Sequence, residues 1–223
     1  MSTPTMVQSE SFADRLKTET RPQHDAAERH ELQRALLKGA LPQARFVALV
    51  GQLMLVHRAL ASAIRGALES DPILAAMWRE AYDQSPRMAR DLAHFGVDPD
   101  GVTPTPATTA FIDRIGQWAG AAPASLLGPL YVLEGSTNGA RYIARAARQA
   151  YPVGADDAGV THLDPYGERQ PEEWADFRAR LNALDLDEAT QRAIVDAARE
   201  TFNAIGAIGD DVLTARAGST LFD

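Results

Sequence analysis

Apolar residues recur at intervals of three and four along almost the whole chain. This spacing lines one face of a helix, and no convincing run of alternating β-branched residues interrupts it. The pattern predicts a helix over "SFADRLKTET", with Ser11 as its N-cap, and another over "RPQHDAAERHELQRALLKG", ending at Gly39. Pro22 either opens this second helix, with Thr20 capping it, or kinks one longer helix. "QARFVALVGQLMLVHRALASAIRGALE" follows, then "PILAAMWREAYDQSPRMARDLAHFG", which Pro86 interrupts. "VDPDGVTPTP" reads as a loop, after which helices resume at "ATTAFIDRIGQWAG" and continue through "LYVLEGSTNGARYIARAARQAY". A second loop, "PVGADDAGVTHLDPYGERQ", precedes "PEEWADFRARLNAL" and "DEATQRAIVDAARETFNAIGAIGDDVL". The expectation is an all-α fold of about seven or eight helices. One domain is expected over residues 11–213, between loose tails at 1–10 and 214–223.

Composition narrows the function classes. With 45% apolar and 23% charged residues the chain is an ordinary globular one, long enough at 223 residues for a substantial core. A net charge of -8 argues against general binding to nucleic acid or anionic membranes. No stretch reads as a signal peptide or as the ~20 apolar residues of a membrane span, so the chain is expected to be cytoplasmic. A monomer is the default. The chain has no cysteine, which removes disulfides, thiolate metal sites and a cysteine nucleophile.

The histidines are His24, His30, His57, His94 and His162, and they form no His-x-x-x-His pair. A helical di-iron site wants two Glu-x-x-His pairs, whereas the chain offers only Asp91-x-x-His94. His24 has Glu28 four residues on, along the same helical face. The two residues are either an axial metal ligand with the carboxylate that orients it, or a plain surface pair. Gly135 and Gly139 leave one face of their helix without bulk, at ~1 kcal/mol each relative to alanine. That face suits either a flat ligand or tight helix packing, and packing does not require the polar Ser136, Thr137 and Asn138 between them. Arg15, Lys17, Arg21, Arg178 and Arg180 are cations that a ligand with two carboxylates would use, or else solvated surface charges.

Three of these stretches resemble one family. "LKTETRPQHDAAE" is similar to the proximal-helix signature of the haem oxygenases, with the histidine seven residues after the lysine. "YVLEGSTNGARYI" resembles the distal-helix motif of bacterial members, and "FRARLNALDLDEATQRAIVDAARETF" their late helices. The resemblance implies an all-α bundle in which haem, both cofactor and substrate, is sandwiched between a proximal and a distal helix. It implies oxidative cleavage to biliverdin, CO and ferrous iron, with O2 as co-substrate and electrons from a separate reductase or ferredoxin. His24 would be the axial iron ligand and Glu28 its hydrogen-bond partner. Lys17 and Arg178, with Arg21 and Tyr131, would hold the propionates, while Phe202 lines the pocket. Gly135 and Gly139 would flank the distal face. Many members carry Gly-Asp where this chain has Gly135-Ser136, so Ser136, Asn138 or Arg141 would hold the distal water. A non-catalytic haem carrier or sensor is the alternative, as is a thiaminase-like enzyme, though that chemistry needs a cysteine this chain lacks.

Overall fold

The computed structural model describes residues 10–215, so the expected tails lie almost wholly outside the described residues. Among those residues there are ten α-helices and no strand. They are α1 (Phe12–Glu19), α2 (Arg21–Arg29), α3 (Glu31–Leu37), α4 (Gln43–Ala67), α5 (Pro72–Met77), α6 (Ser85–His94), α7 (Pro106–Ala121), α8 (Leu127–Ala150), α9 (Gln170–Asn182) and α10 (Glu188–Thr214). The all-α expectation holds, but the helices outnumber the seven or eight expected. His30 accounts for one extra break: its backbone leaves helical geometry and its Nδ1 accepts from Leu32 N–H, capping α3. A second break, expected at Pro86 alone, widens to a non-α stretch between Met77 and Ser85.

Local signals explain most of the boundaries. Ser11 accepts from Asp14 N–H and caps α1, as the sequence predicts. Thr20 precedes α2, but its hydroxyl donates back to Leu16 O, so Pro22 near the start does the work of opening the helix. Gly39 closes α3 at φ 62°, a left-handed conformation that glycine adopts without strain. Asp71, Thr105 and Asp187 cap α5, α7 and α10.

α4 lies in the core, packed against α6 and α7. By length and composition it is long and apolar enough to cross a membrane, contrary to the sequence expectation, but 61% of that apolar window is buried inside the fold. α10 is the other organising helix, with α1, α2, α3, α4, α7 and α8 all packed on it. The loop after α8 is pinned by a single carboxylate. Asp91 Oδ1 accepts from Gly159 N–H, Thr161 N–H and the Thr161 hydroxyl, and Oδ2 accepts from His162 N–H and Nδ1 at 2.9 and 2.7 Å. Burial pushes the Asp91 carboxyl up, but these donors, led by His162, hold it below the usual carboxylate range.

One close helix crossing is at a glycine the sequence does not advertise. A Cβ on Gly128 would sit 2.6 Å from Ala198 N and Ile194 O, both backbone atoms of α10. Only glycine allows α8 and α10 to cross this closely. Gly128→Ala should therefore destabilise the fold by about 2 kcal/mol, the overpacking strain exceeding the helix-propensity gain. Urea denaturation measures it; an unchanged midpoint would show that the crossing is not tight.

Candidate functional site

α8 crosses α10 at Gly128, and α2 meets α10 further along, where the His24 ring stands edge-on to Phe202 with centroids 5.9 Å apart. Beyond that contact, His30 and α3 lie on α10 at Gly209, and Gly39 returns against Ala146 and Ala150 of α8. α2 and α8 thus share neighbours, yet make at most marginal contact with each other. α10 therefore links the two helices, with the partly exposed Phe202 standing on it beside His24.

α2 buries none of its residues. The His24 side chain is 55% exposed, and its Nδ1 lies 3.8 Å from Glu28 Oε1 and 4.0 Å from Asp25 Oδ1. Glu28 is thus near the imidazole but beyond hydrogen-bond length. No protein group among the described residues hydrogen-bonds Nε2.

α8 is continuous through its glycines. The three polar residues between them bond back into their own helix: Ser136 Oγ to Leu133 O at 2.7 Å, Thr137 Oγ1 to Glu134 O at 2.6 Å and Asn138 Nδ2 to Gly135 O at 3.0 Å. Such local bonds are how short polar side chains satisfy themselves inside a helix. They also use the Ser136 hydroxyl donor and one of the two Asn138 N–H donors, which bears on the expectation that these side chains organise distal water. Ser136, Gly139 and Tyr142 are exposed along one face. A Cβ on Gly139 would meet nothing within 4 Å, and one on Gly135 would touch only the rim of the Trp174 ring, at 3.2 Å. The packing explanation thus holds for Gly135, which sits against Trp174 of α9, and fails for Gly139.

The predicted cations divide. Lys17 and Arg21 are exposed and carry no ion pair among the described residues. Arg178 pairs with Asp14 at 2.7 Å, and burial raises the nearby Tyr131 hydroxyl above its usual range. Arg15 is held by Glu19 and Glu188, and Arg180 donates to Tyr82 Oη and Ala76 O inside the fold. Asp91 and His94 do not form a metal pair: Asp91 holds its loop, and His94 Nε2 is 2.7 Å from Pro152 O.

Sequence reasoning missed Glu134 and His57. Glu134 immediately precedes Gly135 yet is 2% exposed; its Oε2 accepts from Tyr166 Oη at 3.1 Å, while Oε1 has no partner. Burial pushes its carboxyl up to about 7, against the pull of the Tyr166 hydroxyl. His57 is buried on α4 and lines, with Tyr82, Asp83, Leu130 and Leu133, a cavity of about 10 Å³, and burial lowers its imidazole to about 4. The only sequence signal was a charged residue amid an apolar run.

Together these features define an all-α fold with an exposed imidazole on α2, beside two carboxylates, and a segment of α8 without side-chain bulk at Gly139. The chain belongs to the haem oxygenase family: residues 10–209 match the family described as Heme oxygenase. It is 25% identical to Heme oxygenase 2 of Synechocystis sp., over 96% of this chain and 88% of that protein. The crystal structure of heme oxygenase-2 from Synechocystis sp. in complex with heme and NO superposes with a TM-score of 0.85, at 24% identity, covering 91% of this chain and 85% of that one. A TenA homologue from P. horikoshii also shares the fold, with a TM-score of 0.70, 14% identity and coverage of 91% and 98%.

Glu134 and His57 pull stability in opposite directions as pH changes. The folded state keeps the Glu134 proton that the unfolded chain loses above about 4.5, so its stabilisation fades as pH rises to about 7. The unfolded chain protonates His57 below about 6.5 while the folded one does not until about 4, so stability falls with acidification across that window. The two contributions offset each other between about pH 4.5 and 6.5. Glu134→Gln should expose the His57 slope, a gain of up to about 3 kcal/mol from pH 4 to 6.5, whereas His57→Gln should expose the opposite slope. Denaturation curves at stepped pH decide it; parallel wild-type and variant profiles would contradict the assignment.

Proposed function

We propose that this chain is a catalytic haem oxygenase, binding haem in the cleft between α2 and α8 and cleaving it to biliverdin, CO and ferrous iron. The observation that carries the reading is the exposed His24 imidazole on α2, its Nε2 without a hydrogen bond among the described residues; the open Gly139 on α8 would supply the opposite wall. Haem, as substrate, brings the iron at which O2 is reduced with electrons from an external reductase or ferredoxin.

The residues present fit a planar iron porphyrin. A neutral imidazole is a common axial ligand, and in such sites the opposite face decides what happens to O2. Phe202 offers an apolar ring beside His24. Lys17 and Arg21 would take the propionate charges, and Arg178 would join them by releasing or sharing Asp14. Glu28 and Asp25, both near Nδ1, would orient the ring so that Nε2 faces the ligand. At Gly139 the bare backbone leaves room beside the haem face, and the back-bonded Ser136 and Asn138 keep their polar atoms on the helix rather than in that space. That same back-bonding favours a second reading, a haem carrier or sensor, because it commits the side chains expected to hold distal water.

Two outcomes are expected. His24→Ala should weaken haem binding at least about tenfold and shift the Soret band, since one ligand bond is lost. An unchanged spectrum would remove the axial assignment. Gly139→Ala should stabilise the haem-free protein by about 0.5–1 kcal/mol, because the new methyl meets open space in a helix, while lowering biliverdin output. Haem, O2 and a competent reductant that give no green tetrapyrrole with the wild-type protein would leave the carrier reading.

A further inference from the structure

Behind the exposed face of α8 lies a buried polar cluster that the proposed reaction does not use. Glu134 Oε2 accepts from Tyr166 Oη, which also lies 3.3 Å from Ala81 O in the turn before α6. One turn on, Gln170 Nε2 at the start of α9 donates to Thr137 Oγ1 at 2.8 Å and lies 3.3 Å from Asn138 Oδ1. Thr137 in turn donates to the Glu134 carbonyl, and Asn138 to that of Gly135. The segment 134–138 is thereby tied from behind to two other parts of the fold. These ties matter because nothing packs on Gly139 from the front.

The surroundings of Glu134 suit a neutral acid. No cation among the described residues pairs with it: Arg79 and Arg169 are engaged with Glu173 on α9, and Arg180 with Tyr82. The titratable groups that do face it are Tyr166, Tyr82 and Glu173, of which the first two are neutral and the third repels a second negative charge. Its Oε1 is buried with no partner. An ionised carboxylate in that position would lack the donors that normally offset its desolvation.

We propose that Glu134 is a positioning residue for the distal glycine segment: the neutral acid is accommodated in its buried place behind α8, and the desolvation cost of its ionised form drives residues 134–139 to open. This makes the distal wall of the cleft sensitive to pH within the physiological range, and its bearing on turnover rests on the haem oxygenase reading above. When α8 opens locally, the carboxyl reaches water and releases its proton as an ordinary glutamate does. The closed form resists until the pH approaches about 7. By linkage, the opening equilibrium should rise up to about tenfold per pH unit between about 5 and 7, then level off.

Amide hydrogen exchange of Gly135 to Gly139 in the haem-free full chain, corrected for intrinsic rates, reads this directly. In wild type the opening should increase by roughly two orders of magnitude from pH 5 to 7. In Glu134→Gln, an isosteric group that cannot ionise, the profile should be flat. In Tyr166→Phe the carboxylate loses its one donor, so the levelling-off should move to higher pH. A merely structural role would change the rates but not their pH profile. Identical profiles in wild type and Glu134→Gln would overturn the proposal, as would a Tyr166→Phe plateau that stays in place or moves down. Haem titrations of the same proteins, followed by absorption, test the separate reading: affinity should track the exchange profile. A protein that shows the exchange behaviour but binds no haem would sink the haem oxygenase reading and leave the Glu134 assignment standing.

Discussion

The close crossing of α8 and α10 at Gly128 is the constraint on which the proposed cleft depends. It brings two helices into backbone contact at one end, where a single methyl group would overlap α10. From that point α10 carries Phe202 and then Gly209, and α2 and α3 lie along it there. α8 is thus fixed at its start by the Gly128 crossing and near its end by Gly39 against Ala146 and Ala150, and the proposed haem cleft would lie along the stretch between. Because protein interiors are close-packed, a shift at the crossing would propagate to both walls rather than be absorbed locally.

α8 shows two opposite faces over the same two turns. On its exposed side it carries little bulk at Ser136 and Gly139, where a Cβ on the glycine would meet open space. Towards the interior it is polar, with Glu134 and Thr137 buried and bonded to Tyr166 and Gln170. A bare helix face gains little from packing, so its position must be fixed from the other side. Hydrogen bonds suit that task better than apolar contact, because they are directional and costly to leave unmade. The polar residues between the glycines therefore serve the helix itself: they satisfy the interior side while leaving the exposed side open.

Much of this was legible in the sequence, and what was not has physical reasons. The helical period, the Ser11 cap and the Gly39 stop are local signals, and they appear where the spacing puts them. His24 and the Gly135–Gly139 segment stood out because they depart from what a plain helix prefers. The break at His30 was hidden because histidine is a rare cap, used here because its ring also reaches Asp210 on α10. Gly128 gave no signal, since a glycine near a helix start has no visible purpose until its neighbour 70 positions away is known. Glu134 was silent for the same reason: sequence spacing does not show that Tyr166 lies against it. Contacts remote in sequence decided both.

The charges around the proposed cleft show how an acidic chain of net charge -8 can still receive a dianionic ligand. Most nearby arginines are already engaged: Arg15 with Glu19 and Glu188, Arg199 with Glu19 and Asp196, and Arg178 with Asp14. Lys17 and Arg21, seven and three residues before His24, are among those without acidic partners in the described residues, as are Arg29, Arg141 and Arg145. The Asp14–Arg178 pair is about half exposed on both sides, and such pairs contribute only about 0–1 kcal/mol. A carboxylate desolvated in a cleft gains more than that from a guanidinium, because charge-assisted bonds are worth roughly 1.5–3 kcal/mol. Arg178 is thus held in place by a partner weak enough to be exchanged, and under the proposed function a haem propionate would be the anion that replaces it.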